Sequence, residues 1–378
     1  MTTVLDRIAD TVHAHDLEVR KTIPRAPDHL LLVLRRSDGS LVAGQWFDDP
    51  ERARRVADET RVRAGDAANV RVLPDSGVLL QPDGADRRLR TLHRLATAPG
   101  ATLVAHRAER RALVRRIDDQ GRVTYTKHVR PDHFDAMVTR TRVYVDDVAV
   151  PRVTDVDARA GTMTCAALPG RTLQALLDDP SVPPRALATT GFEVGRALAR
   201  LHATAPTPTM KHHDAVAELG VTRRWLQRAR AHGLVDDARP PVRDRVDELT
   251  RLITRAPCAT TFVHRDLHDL QLLVDVTGHV GVLDFDLAAI GEPALDLANL
   301  LVHLELKALI WGDRTERTDA CTAAIVEGYA PDADTWRRVP AYALSTRLRL
   351  LAVNAFRPPR AHLGTALLTG SPTGPLRG

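Results

Sequence analysis

Residues 264–286 read His-Arg-Asp-Leu-His-Asp-Leu-Gln-Leu-Leu-Val-Asp-Val-Thr-Gly-His-Val-Gly-Val-Leu-Asp-Phe-Asp. Asp266 stands five residues before the amide Gln271, and Asp284 ends an apolar strand thirteen residues further on. A carboxylate on a loop accepts the proton of an attacking hydroxyl. An amide oxygen and a second carboxylate are hard ligands that suit Mg²⁺. One Asp after a His-Arg pair is more often a surface turn than a catalyst, and an isolated Asp-Phe-Asp means little. The joint pattern of His264, Asp266, His268, Gln271, Asp284 and Asp296, with a glycine turn and an apolar strand between, is what points to chemistry.

The residues that follow sharpen this reading: Ala288–Leu300 is A-A-I-G-E-P-A-L-D-L-A-N-L. Together, H-R-D-L-H, L-D-F-D and G-E-P-A-L-D-L-A resemble the aminoglycoside phosphotransferase and choline kinase-like superfamily. Its motifs are H-G-D-x-H-x-x-N, I-D-F/W-E/D and G-D-P-x-x-D-L-A. Here Arg265 replaces the glycine and Gln271 the asparagine, and Asp286 stands where protein kinases carry the glycine of Asp-Phe-Gly. Gln in that slot is similar to the maltokinase branch, whose distal segment this chain does not follow. The strong resemblance covers roughly residues 264–300, with weaker features over about 100–360.

The resemblance implies an α+β, protein kinase-like bilobal fold that uses ATP and Mg²⁺ to phosphorylate a hydroxyl of a small molecule. It implies Asp266 as the base and Gln271 and Asp284 as metal ligands. His264, His268, Asp286 and Asp296 take supporting roles: His264 bracing the loop, His268 bracing it or lining the acceptor pocket, Asp296 bracing the loop from a helix start, and Asp286 near the metal. Gln is one methylene longer than Asn, which shifts the metal or the loop without forbidding binding.

Upstream, the strands Thr102–His106, Leu113–Ile117 and Val123–Val129 precede a short helix around His133–Tyr144, then strands near Val150–Val153 and Thr162–Ala166. Lys127 falls near the end of a strand, at the place of the ATP-phosphate lysine. It is one of four lysines, with Lys21, Lys211 and Lys307. The family's glutamate partner has no clear counterpart among Asp132, Asp135, Asp146 and Asp147. The first two strands are joined by His106-Arg107-Ala108-Glu109-Arg110-Arg111, which lacks glycine; Arg110 or Arg111 is the candidate to meet phosphate. Leu168-Pro169-Gly170-Arg171-Thr172-Leu173 resembles the family's L-P-G-x-x-L linker, so Cys165, Ala167 and Leu168 are expected to offer backbone hydrogen bonds to adenine.

Residues 1–98 precede this unit as an extra α+β segment. A helix over 2–16 leads to His29–Arg36 and Leu41–Phe47, a hairpin around Asp38-Gly39. A charged helix from Pro50 to Ala64, strands near Val70–Leu73 and Val78–Gln81, and a helical 85–97 follow. Gly39–Gln45 parallels Gly121–Lys127, and Val70–Gln81 parallels Val150–Ala166, so Gln45 takes the place of Lys127. The segment reads as a degenerate copy of the N-lobe (99–168) or as an unrelated cap, and both stay open here. The helical C-lobe is expected over 169–360, with helices near 191–203, 221–232, 241–255, 297–310, 319–329 and 335–356; a Pro-, Gly- and Thr-rich tail (361–378) reads as flexible.

Composition excludes other classes. With 378 residues, 44% hydrophobic and 27% charged, the chain can bury a substantial core. Its net charge of +5 is spread along the chain without a basic block, which permits nucleic-acid binding but does not argue for it, and no nucleic-acid partner is expected. Cys165, Cys258 and Cys321 show no metal spacing and fit a reducing compartment. No 18-residue apolar run or secretory signal is seen, so a cytoplasmic enzyme without a membrane partner is expected. After Asp284 there is no Ala-Pro-Glu activation segment, which argues against a protein kinase. From Asn299 onward seven acids face ten Lys or Arg, a balance that disfavours a polycationic acceptor and leaves a sugar, an amino alcohol or an antibiotic-like metabolite. The alternative is a catalytically weak or inactive kinase-like relative that binds nucleotide or a partner.

Overall fold

The computed structural model describes residues 3–65, 68–141, 145, 147–206, 210–312 and 315–369. Thr3 caps the first helix, α1 (Val4–His13), through a reciprocal pair with Asp6, and Leu5, Ile8 and Val12 form its buried stripe. The chain then turns into β1 (Leu17–Ala26), β2 (His29–Arg36) and β3 (Leu41–Phe47), crosses by α2 (Pro50–Ala64), and returns as β4 (Arg71–Val72) and β5 (Val78–Gln81). The strands are antiparallel and lie in the order β1-β2-β3-β5-β4.

After the short α3 (Leu92–Ala96) the same plan recurs: β6 (Ala101–Arg107), β7 (Arg111–Ile117), β8 (Val123–Val129), α4 (Phe134–Thr141), β9 (Val153–Asp157) and β10 (Thr162–Ala166). Its order, β6-β7-β8-β10-β9, is the first sheet's shifted by five strands. Gln45 is the fifth residue of β3 and Lys127 the fifth of β8; Gln45 faces Leu31 and Leu79, and Lys127 faces Leu113 and Met163.

Several expectations are corrected here. β1 carries charges through its length and was not foreseen as a strand; its alternate burial shows that Leu17, Val19, Thr22 and Pro24 face inward. Helix over 85–97 reduces to α3, because the Asp86 side chain accepts the N–H groups of Arg88 and Leu89 and holds that stretch in a turn. The strand expected at 150–153 begins only at Val153; of the helix expected over 133–144, Phe134–Thr141 is helical and residues 142–144 lie outside those described.

The remainder is mainly helical: β11 (Arg171–Thr172), α5 (Leu173–Asp178), α6 (Pro184–Ala203), α7 (Ala215–Ala231) and α8 (Val242–Ile253). Four short strands, β12 (Thr261–Val263), β13 (Leu272–Val274), β14 (Val280–Val282) and β15 (Ala289–Gly291), frame the loop quoted at the outset, pairing as β11-β13-β14 and β12-β15. Then come α9 (Ala294–Trp311), α10 (Thr315–Tyr329), α11 (Ala333–Ala355) and α12 (Ala361–Thr369). The expected flexible tail is corrected by α12: Leu363, Leu367 and Leu368 share a helical face and are buried. Residues 370–378 lie outside the described set. No helix among the described residues is long and apolar enough to cross a membrane.

α6 and α10 approach at backbone distance. A Cβ on Gly195 would sit 2.2 Å from the Ile325 carbonyl oxygen, and one on Gly328 would sit 2.1 Å from that of Phe192. Gly195→Ala is therefore expected to destabilise by about 1–3 kcal/mol through forced separation of the two helices, read as a lower denaturation midpoint at unchanged slope.

Candidate active site

The loop between β12 and β13 owes its shape to one carboxylate. Asp296, in the first turn of α9 and fully enclosed, accepts the backbone N–H of His264 and of Arg265, both at 2.6 Å. His202, at the end of α6, completes its shell at 3.2 Å. Burial works to raise this carboxyl, and the hydrogen bond and charge of His202 together with the His264 N–H outweigh it and hold it below its usual range. Asn299, one turn on, donates to the Leu267 carbonyl at 2.8 Å.

His264 then links the loop to the metal strand. Its Nδ1 accepts the Asp266 N–H at 3.2 Å, and its Nε2 donates to the Leu283 carbonyl at 2.7 Å, the pattern of an imidazole protonated at Nε2. Leu283 N–H in turn donates to the Gln271 carbonyl at 2.8 Å. Asp266, Gln271 and Asp284 are thus fixed to one another through backbone. The side chains of Asp266 and Gln271 make no hydrogen bond to any described residue. His268 accepts the Leu270 N–H at Nδ1 and stacks on His303 with ring centres 4.8 Å apart, so it braces the loop.

Arg265 explains a departure noted in the sequence. It has φ of +70°, the left-handed region in which glycine is at ease. Arg is held there by its N–H bond to Asp296 and by its guanidinium on the Leu287 carbonyl at 3.1 Å.

Across the cleft, Lys127 places Nζ 2.9 Å from Asp284 Oδ1 and 2.6 Å from Asp286 Oδ1, and Arg111 reaches Asp286 Oδ2 at 2.8 Å. The lysine that lacked a glutamate partner is therefore paired by the Asp-Phe-Asp carboxylates. Asp132 pairs with Arg130 and Asp147 with Arg200, while Asp146 lies outside the described residues. Burial would raise the Asp284 carboxyl, yet Lys127 and Arg111 hold it at about 2, so it is an anion at neutral pH. Burial would lower the Lys127 ammonium, and Asp284 and Asp286 raise it. A carboxylate set below neutral pH beside an unengaged amide oxygen fits a hard divalent cation.

Arg111 and Arg110 are separated by the strand. Arg111 faces Asp286; Arg110 is exposed and lowered first by partial burial, then by the charges of Arg25, Arg130, Arg111 and Arg228, with no carboxylate beside it. Of the two arginines, Arg111 is the one that lies against the Asp-Phe-Asp carboxylates. Of the expected adenine contacts, Ala167 donates its N–H to Val123 and Cys165 is paired within the sheet to Tyr125, so their N–H groups serve the β8–β10 ladder. The Leu168 N–H meets no backbone acceptor among the described residues.

The first sheet holds the β6–β7 turn from behind. Glu109, at φ of +59°, donates its N–H to Asp86 at 2.7 Å, and its carboxylate takes Arg87 at 2.8 and 3.1 Å and the Gln45 amide at 3.2 Å. Gln45 is fully enclosed and also bonds His29 and Gln81, both at 2.8 Å. This clasp escaped sequence reading because its members lie up to 64 positions apart.

Two outcomes are expected. Gln45→Ala should destabilise by about 1–3 kcal/mol, since His29 and Gln81 lose a buried partner; chemical denaturation reads it. Arg265→Gly should exceed Arg265→Ala in stability by about 1 kcal/mol, because only glycine relieves the left-handed strain.

The model of the phosphotransferase enzyme family matches residues 79–342. No curated protein matches the chain. Among solved structures, amicoumacin kinase, in complex with AMP-PNP, Ca²⁺ and amicoumacin, is similar at 16% identity and a TM-score of 0.50, over 74% of this chain and 91% of that one. An aminoglycoside phosphotransferase from Streptomyces rimosus aligns at 20% identity and TM-score 0.49 over 68% and 96% of the two chains. A choline/ethanolamine kinase family protein from Mesorhizobium loti aligns at 16% and 0.48 over 73% and 92%. The family match spans both the second sheet and the helical region with the 264–286 loop, and on that ground the chain belongs to the phosphotransferase enzyme family.

Proposed function

We propose that this protein transfers the γ-phosphoryl group of ATP, with Mg²⁺, to a hydroxyl of a small molecule. The observation that carries the reading is the backbone-linked set of Asp266, Gln271 and Asp284 facing Lys127 across the cleft. The amicoumacin kinase structure, with its nucleotide analogue and divalent cation, supports the choice of cofactors.

Gln271 and Asp284 would hold Mg²⁺, which when bound offsets phosphate charge and aligns it. Lys127 and Arg111 supply cationic side chains at the end of the second sheet, where phosphate oxygens would lie. Asp266 orients the acceptor hydroxyl with a carboxylate that no protein donor occupies. As the acceptor oxygen bonds to the γ-phosphorus, the bond to the bridging oxygen of ADP breaks and the acceptor proton passes to Asp266. His264 keeps that carboxylate in place through its bond to the Asp266 N–H.

The same reading treats residues 1–98 as a degenerate N-lobe copy. The repeated strand order and the enclosed Gln45 in the lysine position support it. An amide does not draw phosphate as an ammonium does, so this copy contributes support to the β6–β7 turn.

Incubation with ATP, Mg²⁺ and a panel of hydroxyl compounds, followed by ADP release, tests the reading. Asp266→Asn is expected to lower kcat by about 10²-fold or more with nucleotide affinity unchanged. Turnover within a few-fold of wild type would remove Asp266 from its role.

A further inference from the structure

Three cations lie near enough to Asp266 to feel its charge, yet among the described residues none forms an ion pair with it or with another carboxylate. Lys21 comes from β1, Arg107 from the end of β6, and Arg357 from the turn between α11 and α12. β1 is pinned to that turn by Thr22, whose N–H and hydroxyl donate to the Phe356 carbonyl at 2.8 and 3.0 Å, which brings Lys21 and Arg357 to flank one contact. All three side chains are partly buried, and the Arg357 Nε is enclosed with no partner. Among the described residues none of the three forms an ion pair or a side-chain hydrogen bond, whereas neighbouring Arg111 is neutralised by Asp286.

Lys21 feels both arginines, and Arg107 feels Arg357. Burial, then the charges of Arg357, Arg107 and Arg111, depress the Lys21 ammonium to about 7, with Asp266 opposing. Arg107 is lowered to about 10 by burial and Arg111, with Asp284 and Asp266 opposing. Arg357 is lowered by burial and Arg360, with Asp266 opposing. Unpaired, half-buried cations set against each other destabilise a fold unless an anion joins them.

Two of the three lie outside the residues that match the family, 79–342. The matched core already provides Lys127 and Arg111 for nucleotide phosphate. Lys21 and Arg357 are additions, brought to the base by the first sheet and by the chain after α11.

We propose that Lys21, Arg107 and Arg357 form an anion-binding end of the acceptor site, so that the acceptor is a hydroxyl compound bearing a phosphate or a carboxylate. The proposal rests on the phosphotransferase reading. It narrows the acceptor from hydroxyl compounds in general to acidic ones, because three cations without partners would repel an aminoglycoside or choline.

The test uses the full chain loaded with a non-hydrolysable ATP analogue and Mg²⁺, so that the nucleotide phosphates are supplied. Inorganic phosphate and acetate are the two probes, at equal ionic strength against chloride. At least one is expected to raise Tm by about 2 °C or more at ten times its Kd, and the stronger of the two identifies phosphate or carboxylate as the recognised group. In Lys21→Met and Arg357→Met the shift should fall by half or more, with analogue affinity within about two-fold of wild type. Without anion both variants should melt no lower than wild type, since each removes an unpaired buried charge; a side chain with a merely structural role would lower Tm. The proposal is overturned if neither anion stabilises the wild type, if the shift persists in both variants, or if analogue affinity drops ten-fold, which would assign the cations to nucleotide. If the wild type fails to bind the analogue at all, the phosphotransferase reading fails, and this proposal with it.

Discussion

The site depends on one buried negative charge. Asp296 has no exposure to water, and its two oxygens take the N–H groups of His264 and Arg265 together with an imidazole nitrogen of His202. Its place in the first turn of α9 adds the favourable field of the helix N-terminus. A carboxylate so held costs little to bury and leaves the loop one conformation. From it the order propagates: His264 carries it to the Asp266 N–H and to the Leu283 carbonyl, and Leu283 carries it to Gln271. Replacing the typical glycine by Arg265 in a left-handed conformation is tolerated because Asp296 and the Leu287 carbonyl hold that residue from both ends.

The second constraint is the ion-pair bridge between the sheet and the helical part. Lys127 and Arg111 from the sheet meet Asp284 and Asp286 from the strand that follows the loop. Behind the bridge, Glu109 fixes the glycine-free β6–β7 turn through Gln45 of the first sheet and through Asp86 and Arg87 of the segment that follows it. The N-terminal part thus acts on the site from two directions: Gln45 of the first sheet, with Asp86 and Arg87 of the segment after it, sets the turn, and β1 brings Lys21 toward Asp266.

The strand-loop-strand unit around residues 264–286 was legible because its parts are close in sequence. The β2–β3 hairpin was legible from its Asp38-Gly39 turn and the β7–β8 hairpin from Asp118-Asp119-Gln120-Gly121 between β-rich runs. β1 was missed because Glu18, Arg20, Lys21 and Arg25 interrupt its apolar pattern, and only the packing of α1 and β2 reveals the inward face. α12 was missed because the Pro, Gly and Thr around it mask a short leucine stripe. The role of Asp286 and the cationic group at Asp266 arise from tertiary proximity, between residues as far apart as Lys21 and Arg357, and no local pattern announces them.

The central claim is that Asp284 and Gln271 tie nucleotide binding to a divalent cation. Calorimetry with a non-hydrolysable ATP analogue, with and without Mg²⁺, tests it most directly on wild type and Asp284→Ala. The account predicts binding by the wild type that strengthens about ten-fold or more with Mg²⁺, and a variant in which that gain disappears. Equal affinity with and without Mg²⁺ in the wild type, or a Mg²⁺ gain retained in Asp284→Ala, would contradict it.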